Sequence, residues 1–531
     1  MAFLLSNRDA NSGLNRVAAT LPNMAFAISF SMRSDSIRAF ALHIPGPTSC
    51  KLSPWTLRWH EVKGDREEWA HALHQKYGDV VLLSPREVSI VEANDIREVY
   101  VSHKLDKPPH ATLVLEQFAT TNLASTRESG LHGGRRKIVA PIYAAPMIVS
   151  EANQAMFRKL VKRLTGQIDQ EAASDSEGVV NIWPLLRYLA ADIMTNIVFG
   201  QDDALNSLEE PGHRQTVRMI RIPVEDVRKT FGTLMRWWYP CVMSMVMHSR
   251  FLPQSMKGFA DEDSGLHEYV VRKVNKFLNL KELPKTEVPT HISLLISKYR
   301  DGVAKDLIPD TTWIASDCLD HLFAGSLTTA DTLSYMTFEM CRPENYARQI
   351  RLREELFAAG IKPGVEAVLA DVNRLPYLNC VIKETLRRYP PIPFGEPRLI
   401  KPGPELRVGG HFIPSGMTIS AQHYSVHRHH TAFVDADTWI PERWEEPQES
   451  DKGRQMTRHF WPFSSGPRTC IGQHIAWAEM RLTAAMIFST YEVSYGPQYL
   501  GEDGKLLPAR QCSRVFPQTN FEPIRFKKLC S

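Results

Sequence analysis

Although the chain holds eight cysteines (Cys50, Cys241, Cys318, Cys341, Cys380, Cys470, Cys512 and Cys530), no two of them form a Cys-x-x-Cys pair. That scatter excludes a zinc ribbon and a disulfide framework, and it fits a reducing compartment. An excess of one charge is also lacking. With 63 basic and 59 acidic residues the net charge is +4, too balanced for a nucleic-acid partner. No uninterrupted apolar run reaches the roughly 20 residues that span a bilayer. The N-terminal candidate, residues 17–32, is broken by Thr20, Pro22, Asn23, Ser29 and Ser31. There is no internal repeat and no low-complexity tract. A hydrophobic content of 43% with 23% charged residues describes a globular chain with a large core.

Residues 1–43 carry four arginines against two aspartates and are rich in serine. They read as a leader, disordered or attached to a membrane surface, with a faint likeness to an organelle transit peptide. Ile44-Pro45-Gly46-Pro47 stiffens the chain and then breaks it, marking the entry to one domain over residues 44–531. A helical pattern covers Glu67 to Tyr77. Apolar segments at Val80–Leu83 and Val88–Val91, separated by Ser84-Pro85-Arg86-Glu87, read as two strands and a turn. Helix then dominates, and short strand signals return only around Leu406–Ile419 and in the C-terminal tail. The expected class is mainly α with small β sheets.

Three segments carry chemistry. Phe463-Ser464-Ser465-Gly466-Pro467-Arg468-Thr469-Cys470-Ile471-Gly472 holds one cysteine between two glycines, with an arginine two residues before it. Gly466 and Gly472 permit backbone angles and close approaches that a side chain would forbid. A tight loop can then aim several backbone N–H groups at the sulfur. Between Pro309 and Pro343 run 33 residues without proline and with one glycine, Gly325, enough for a helix of roughly 50 Å. At its centre, Phe323-Ala324-Gly325-Ser326-Leu327-Thr328-Thr329 places small residues where a flat group can approach. Leu378, Val381, Ile382, Thr385 and Leu386 form an amphipathic stripe. On that helix Glu384 and Arg387 stand three apart, before Pro390 and Pro391 end it.

Phe-x-x-Gly-x-Arg-x-Cys-x-Gly resembles the haem-binding loop of the cytochrome P450 family, with all five fixed positions present: Phe463, Gly466, Arg468, Cys470 and Gly472. The resemblance implies the P450 fold, haem b as cofactor and Cys470 as the axial thiolate ligand of its iron. Ala324-Gly325-x-x-Thr328 resembles the family's oxygen-binding helix, where the threonine helps deliver protons. Leu327 departs from the pattern, since an acid is expected there. Asp331 and Asp320 lie one turn after and before this segment, and Asp320 is placed to face the pocket. Glu384, Arg387 and Arg443, the last in Pro441-Glu442-Arg443-Trp444, imply a buried triad behind the haem. Arg468, Arg398, Arg136 and His132 imply contacts to the two haem propionates, with Arg135 and Lys137 pointing outward.

His423, His427, His429 and His430 suggest a metal cluster, but no second pair completes a tetrahedral site, and packing explains them better. Trp237-Trp238-Tyr239, with Met243, Met245 and Met247, reads either as core or as an aromatic belt at a membrane.

The resemblance implies a monooxygenase using O2 and electrons from NADPH–cytochrome P450 reductase. Its substrate would be a mostly apolar small molecule, met by residues 119–132, 218–247, 318–323, 392–396 and 511–516. The wording of the motifs is fungal and microsomal-like, which suggests specialised metabolism of a terpenoid, polyketide or alkaloid. Two alternatives stand: a rearrangement or dehydration enzyme needing no NADPH, favoured by Leu327, and a non-catalytic haem-binding protein. The expected location is the cytosolic face of the endoplasmic reticulum membrane, peripheral or weakly anchored, with a mitochondrial one as alternative.

Overall fold

The computed structural model describes residues 42–112, 115–220, 265–496 and 524–530, apart from 285, 303, 304 and 404, together with Asp35, Ser36 and Ala39. Most of the leader, the Trp237–Tyr239 segment, residues 511–516 and most of 218–247 lie outside the described residues.

Helix α1 (Arg66–Tyr77) has Glu67 and Glu68 in its first turn and His74 and Lys76 in its last, both favourable to the helix dipole. Gly78, at φ +98°, stops it. The predicted hairpin follows as β1 (Val80–Ser84) and β2 (Glu87–Ile90), antiparallel with Val80 opposite Ile90. Helices α2 (Ser129–Tyr143), α3 (Ile182–Phe199), α4 (His291–Arg300), α5 (Thr311–Cys341), α6 (Pro376–Arg388) and α7 (Gln473–Thr490) build the main body.

The short strands are β3 (Val179–Val180), β4 (Arg398–Leu399), β5 (Leu406–Val408), β6 (His411–Ile413), β7 (Thr418–Ser420), β8 (Tyr491–Tyr495) and β9 (Ile524–Lys528). They form three small sheets with orders β1-β2-β7-β4, β3-β9-β8 and β5-β6. β2 and β7 are parallel, with Val88 opposite Ile419. The fold is the mainly α arrangement expected, although the two-residue strands β3 and β4 are too short to carry a periodic signal.

The long central helix is α5. Asp310 caps it by accepting the Trp313 N–H at 2.7 Å, and it ends at Arg342, held extended ahead of Pro343. At 31 residues it runs roughly 46 Å. Its flanks are packed against the neighbouring helices. Gly325 makes one of these approaches possible, because a Cβ there would overlap the Met194 side chain of α3. The glycine's role here is therefore close helix packing, a use distinct from the room for a flat group expected from the sequence.

Behind α5, Glu384 draws α6 and the segment around Trp444 together. Its carboxylate accepts from Arg387 (2.9 and 2.7 Å), Arg443 (3.0 Å), the Ile440 N–H (2.9 Å) and the Trp444 indole (3.0 Å). Arg387 also donates to the carbonyls of His427, Ala436 and Thr438. Both side chains are fully buried. Such a pair adds little stability when complete, but losing one member strands the other at about 3–5 kcal/mol. Glu384→Ala or Arg387→Ala should therefore abolish most folded protein or lower Tm by many degrees. Glu366→Ala, which removes the solvent-exposed pair with Lys162, should leave melting unchanged in the same calorimetric scan.

Candidate active site

From Trp313 to Cys341 every residue of α5 is buried except Asp320, Phe323, Ala324, Gly325 and Thr328. Asp320, Ala324 and Thr328 are spaced i, i+4, i+8, so they share one helix face. An open patch halfway along a buried helix is the wall of an interior chamber. The Thr328 hydroxyl donates to the Ala324 carbonyl at 2.8 Å and keeps its lone pairs for a partner. Leu327 is not part of this wall, being buried in the main core. A carboxylate at position 327 would enter packed apolar surroundings. Asp331 is also turned away, accepting the Trp183 indole N–H of α3 at 3.3 Å.

The cysteine loop supplies a second open surface. Cys470 lies deep in the fold, and yet its side chain borders open space. Its thiol and the Asp320 carboxyl both act electrostatically on the Tyr143 hydroxyl of α2, so loop and helix patch belong to one neighbourhood. The Cys470 N–H donates to the Phe463 carbonyl at 2.8 Å, closing the loop, and the half-buried Phe463 ring lies 6.1 Å from that of Trp477. Burial raises the thiol pKa. The N–H groups of Gly472 and Gln473 and the charge of Arg136 work against that rise. A sulfur so surrounded suits a cationic metal, which would stabilise the thiolate directly.

The two glycines differ in what they do. Gly466 sits at φ +71°, and a Cβ there would overlap the Tyr100 carbonyl. Gly472 has an ordinary φ of −85°, and a Cβ would lie 4.0 Å from the Cys470 sulfur. The expectation of a special backbone thus holds for Gly466 and is corrected for Gly472.

A cluster of cations borders the loop. Arg468 donates to the carbonyls of Thr126 (2.8 Å) and Arg127 (2.6 Å). Arg136 donates to the Thr469 carbonyl at 2.7 Å. Arg398 is buried on β4, pairs with Glu396 at 3.1 Å and lies over the Tyr100 ring. Lys107 donates to the Ala124 carbonyl at 2.8 Å. Burial, then Arg398 and Arg468, lowers the Lys107 pKa to about 8. Burial, then Arg398, brings Arg468 to about 10. His132 stands among these groups, pushed to about 3 by burial and then by Arg468, Lys107, Arg136 and Arg398. Its Nδ1 is buried with no hydrogen-bond partner among the described residues.

Four cations around a neutral histidine, opposed by Glu396, are matched by a group bearing two carboxylates. Haem fits that description, with an iron for Cys470 and a flat ring for the open patch of α5. Lys107 was not legible in the sequence, because Asp106-Lys107-Pro108 belongs to no motif. Arg135 was misplaced. It points inward, donating to the Leu307 carbonyl, Thr121 and Thr126 and lying over Trp313, while Lys137 is exposed as expected.

The loop carrying Thr121 to Thr126 is fastened to α5 as well. Asp317 accepts the Leu123 N–H at 2.7 Å and bonds His291 of α4 at 3.0 Å. Tyr143 bonds both His291 and His321. This network gave no sequence signal, since its members come from three separate helices. The histidines near 423–430 serve packing: His427 accepts the Trp461 N–H, His423 stacks on Trp461, and His429 bonds Thr431 and Asp79.

The cytochrome P450 family profile matches residues 45–504. Among curated proteins, the chain is 28% identical to cytochrome P450 monooxygenase lcsI of Purpureocillium lilacinum, covering 85% of this chain and 83% of that protein. It is 28% identical to cytochrome P450 monooxygenase orf2 of Aspergillus niger, over 85% and 86%. It is 26% identical to cytochrome P450 monooxygenase cpaH of Aspergillus oryzae, over 93% and 91%.

The contrast between the loop glycines is measurable. Gly466→Ala forces a left-handed backbone costing about 1–2 kcal/mol, plus displacement of the Tyr100 carbonyl, and should sharply lower Tm. Gly472→Ala should melt within a few degrees of the parent. Equal melting of the two variants would contradict the loop geometry described.

Proposed function

The chain belongs to the cytochrome P450 family and is a haem-dependent monooxygenase, and on that premise we propose that Cys470 is the iron's thiolate ligand in a single catalytic domain spanning residues 44–531. The observation that carries this assignment is a sulfur with open surface, met by two backbone N–H groups and sharing the neighbourhood of Tyr143 with Asp320 of the open patch of α5. Bound haem supplies the oxygen activation, RH + O2 + two electrons + two protons giving ROH and water.

The protein's own part is positioning and proton supply. Phe463, Gly466 and Gly472 shape the loop around the sulfur. Lys107, Arg136, Arg398 and Arg468, with His132 among them, hold the cofactor's carboxylates. Ala324 leaves room over the ring, and Gly325 lets α5 approach α3 so that this face is rigid. Thr328 holds a water by its free lone pairs and passes a proton from it toward the chamber. The Glu384–Arg387–Arg443 triad keeps the proximal side in register.

The substrate is a mostly apolar small molecule of fungal specialised metabolism, a reading supported by the company of the fungal monooxygenases above. Electrons come from NADPH–cytochrome P450 reductase. The enzyme works at the cytosolic face of the endoplasmic reticulum as a peripheral protein, and no described helix is long and apolar enough to cross a membrane. A second reading, rearrangement without NADPH, draws on Leu327, whose side chain offers no proton and is closed off in the core.

Two measurements test this function. The reduced carbon-monoxide complex should show the red-shifted Soret band of thiolate ligation, and Cys470→Ala should lose it. Retention of the band would assign the ligand to another cysteine. Thr328→Ala should lower product formed per NADPH by about tenfold or more, as loss of a proton-transfer group does, with peroxide released instead. An unchanged ratio would place proton delivery elsewhere, and product without NADPH would favour the rearrangement reading.

A further inference from the structure

Asp320 is the one acidic residue in the open patch of α5. One carboxylate oxygen, Oδ2, accepts the Ala124 N–H at 3.3 Å. No described residue bonds the other, and the side chain keeps open surface in the interior. A carboxyl set among Phe323, Ala324 and the core behind them is unfavourable unless a partner meets its free oxygen. Asp317, one turn earlier, shows the contrast: both of its oxygens are taken, by Leu123 and His291.

We propose that Asp320 anchors the substrate by receiving a basic, positively charged nitrogen. The proposal rests on the monooxygenase reading and refines it: the substrate is mostly apolar but carries an amine. Asp320 and Thr328 are eight residues apart on one face, roughly 12 Å along the helix. The nitrogen therefore holds one end of a molecule whose other end reaches Thr328.

The charges facing Asp320 come from three elements. Asp317 lies on its own helix, Lys107 on the segment before α2, and the Ala124 amide on the loop fastened to α5. Lys107 is turned to the Ala124 carbonyl and forms no ion pair with Asp320 among the described residues. The cations beyond it are opposed by Glu396 and by the cofactor's carboxylates. Burial, then Asp317, raises the Asp320 pKa to about 7, against the pull of the Ala124 N–H and Lys107. A bound ammonium stabilises the carboxylate and reverses that rise.

The test uses haem-loaded enzyme and two aryl-alkyl probes, one ending in trimethylammonium and the other in its uncharged tert-butyl isostere. A quaternary nitrogen has no lone pair and does not ligate iron. By equilibrium dialysis, Asp320→Asn should weaken the cationic probe at least about tenfold and leave the neutral one unchanged. Asparagine retains an oxygen for the Ala124 N–H, so the loop stays fastened. In the parent enzyme the cation-to-neutral affinity ratio should rise from about pH 5.5 and level off above about 7, so a parent that shows no such rise overturns the anchor even if the variant folds poorly. Equal loss of both probes, no preference for the cation, or a pH trend that survives in Asp320→Asn and so belongs to Lys107 overturns the anchor. The carbon-monoxide spectrum of the parent enzyme tests the underlying reading separately, because probe binding does not depend on which ligand the iron has.

Discussion

Buried positive charge is the constraint around which this interior is arranged. Lys107, Arg136, Arg398 and Arg468 converge on His132 with Glu396 as their opposing carboxylate. Isolated cations in such surroundings are unfavourable, and the backbone responds. The carbonyls of Ala124, Thr126, Arg127 and Thr469 all turn toward these side chains. The loop before α2 and the cysteine loop are therefore tied to each other by the same groups proposed to receive the cofactor. In the assignment proposed above, haem would complete the balance with two carboxylates and draw the Cys470 thiol toward thiolate.

Rigidity comes from elsewhere. α5 is fixed on α3 by the glycine contact at Met194, on the 121–126 loop by Asp317 and Asp320, and on α2 and α4 through Tyr143 and the two histidines. On the other side, Glu384 gathers α6 and the segment around Trp444 into one block. The chamber is open because the residues at 324 and 328 are small, while everything around them is packed. Function and stability thus occupy different faces of the same helix.

Much of this was legible from residue order. The glycine-bounded cysteine, the proline-free stretch ending at Pro343 and the Glu384–Arg387 spacing each describe local geometry, and local geometry is what a sequence encodes most directly. Arg443 was legible as the third member because its Pro441-Glu442-Arg443-Trp444 setting gave it a place. What escaped depends on contacts between distant segments. Arg135 looked like part of a solvated run, yet it turns inward because Leu307 and the Thr121–Thr126 loop offer oxygens there. Lys107 acquires its role only when its segment is folded against Arg398 and Arg468. Gly325 was assigned to the open side, whereas the space it leaves is filled by Met194 from a helix about 130 residues earlier. Asp320 was seen to share the pocket face, but its free oxygen is a property of the packed loop.

The claim that the cation cluster is built for a dicarboxylate cofactor is tested most directly by reconstituting the apoprotein with haem or with its dimethyl ester. The ring and the iron are the same, and only the two charges differ. The account predicts that the ester binds at least about tenfold more weakly, as loss of charge-assisted hydrogen bonds requires, and that it raises Tm less than haem does. Equal retention of both would contradict it, leaving the four cations without the role assigned to them.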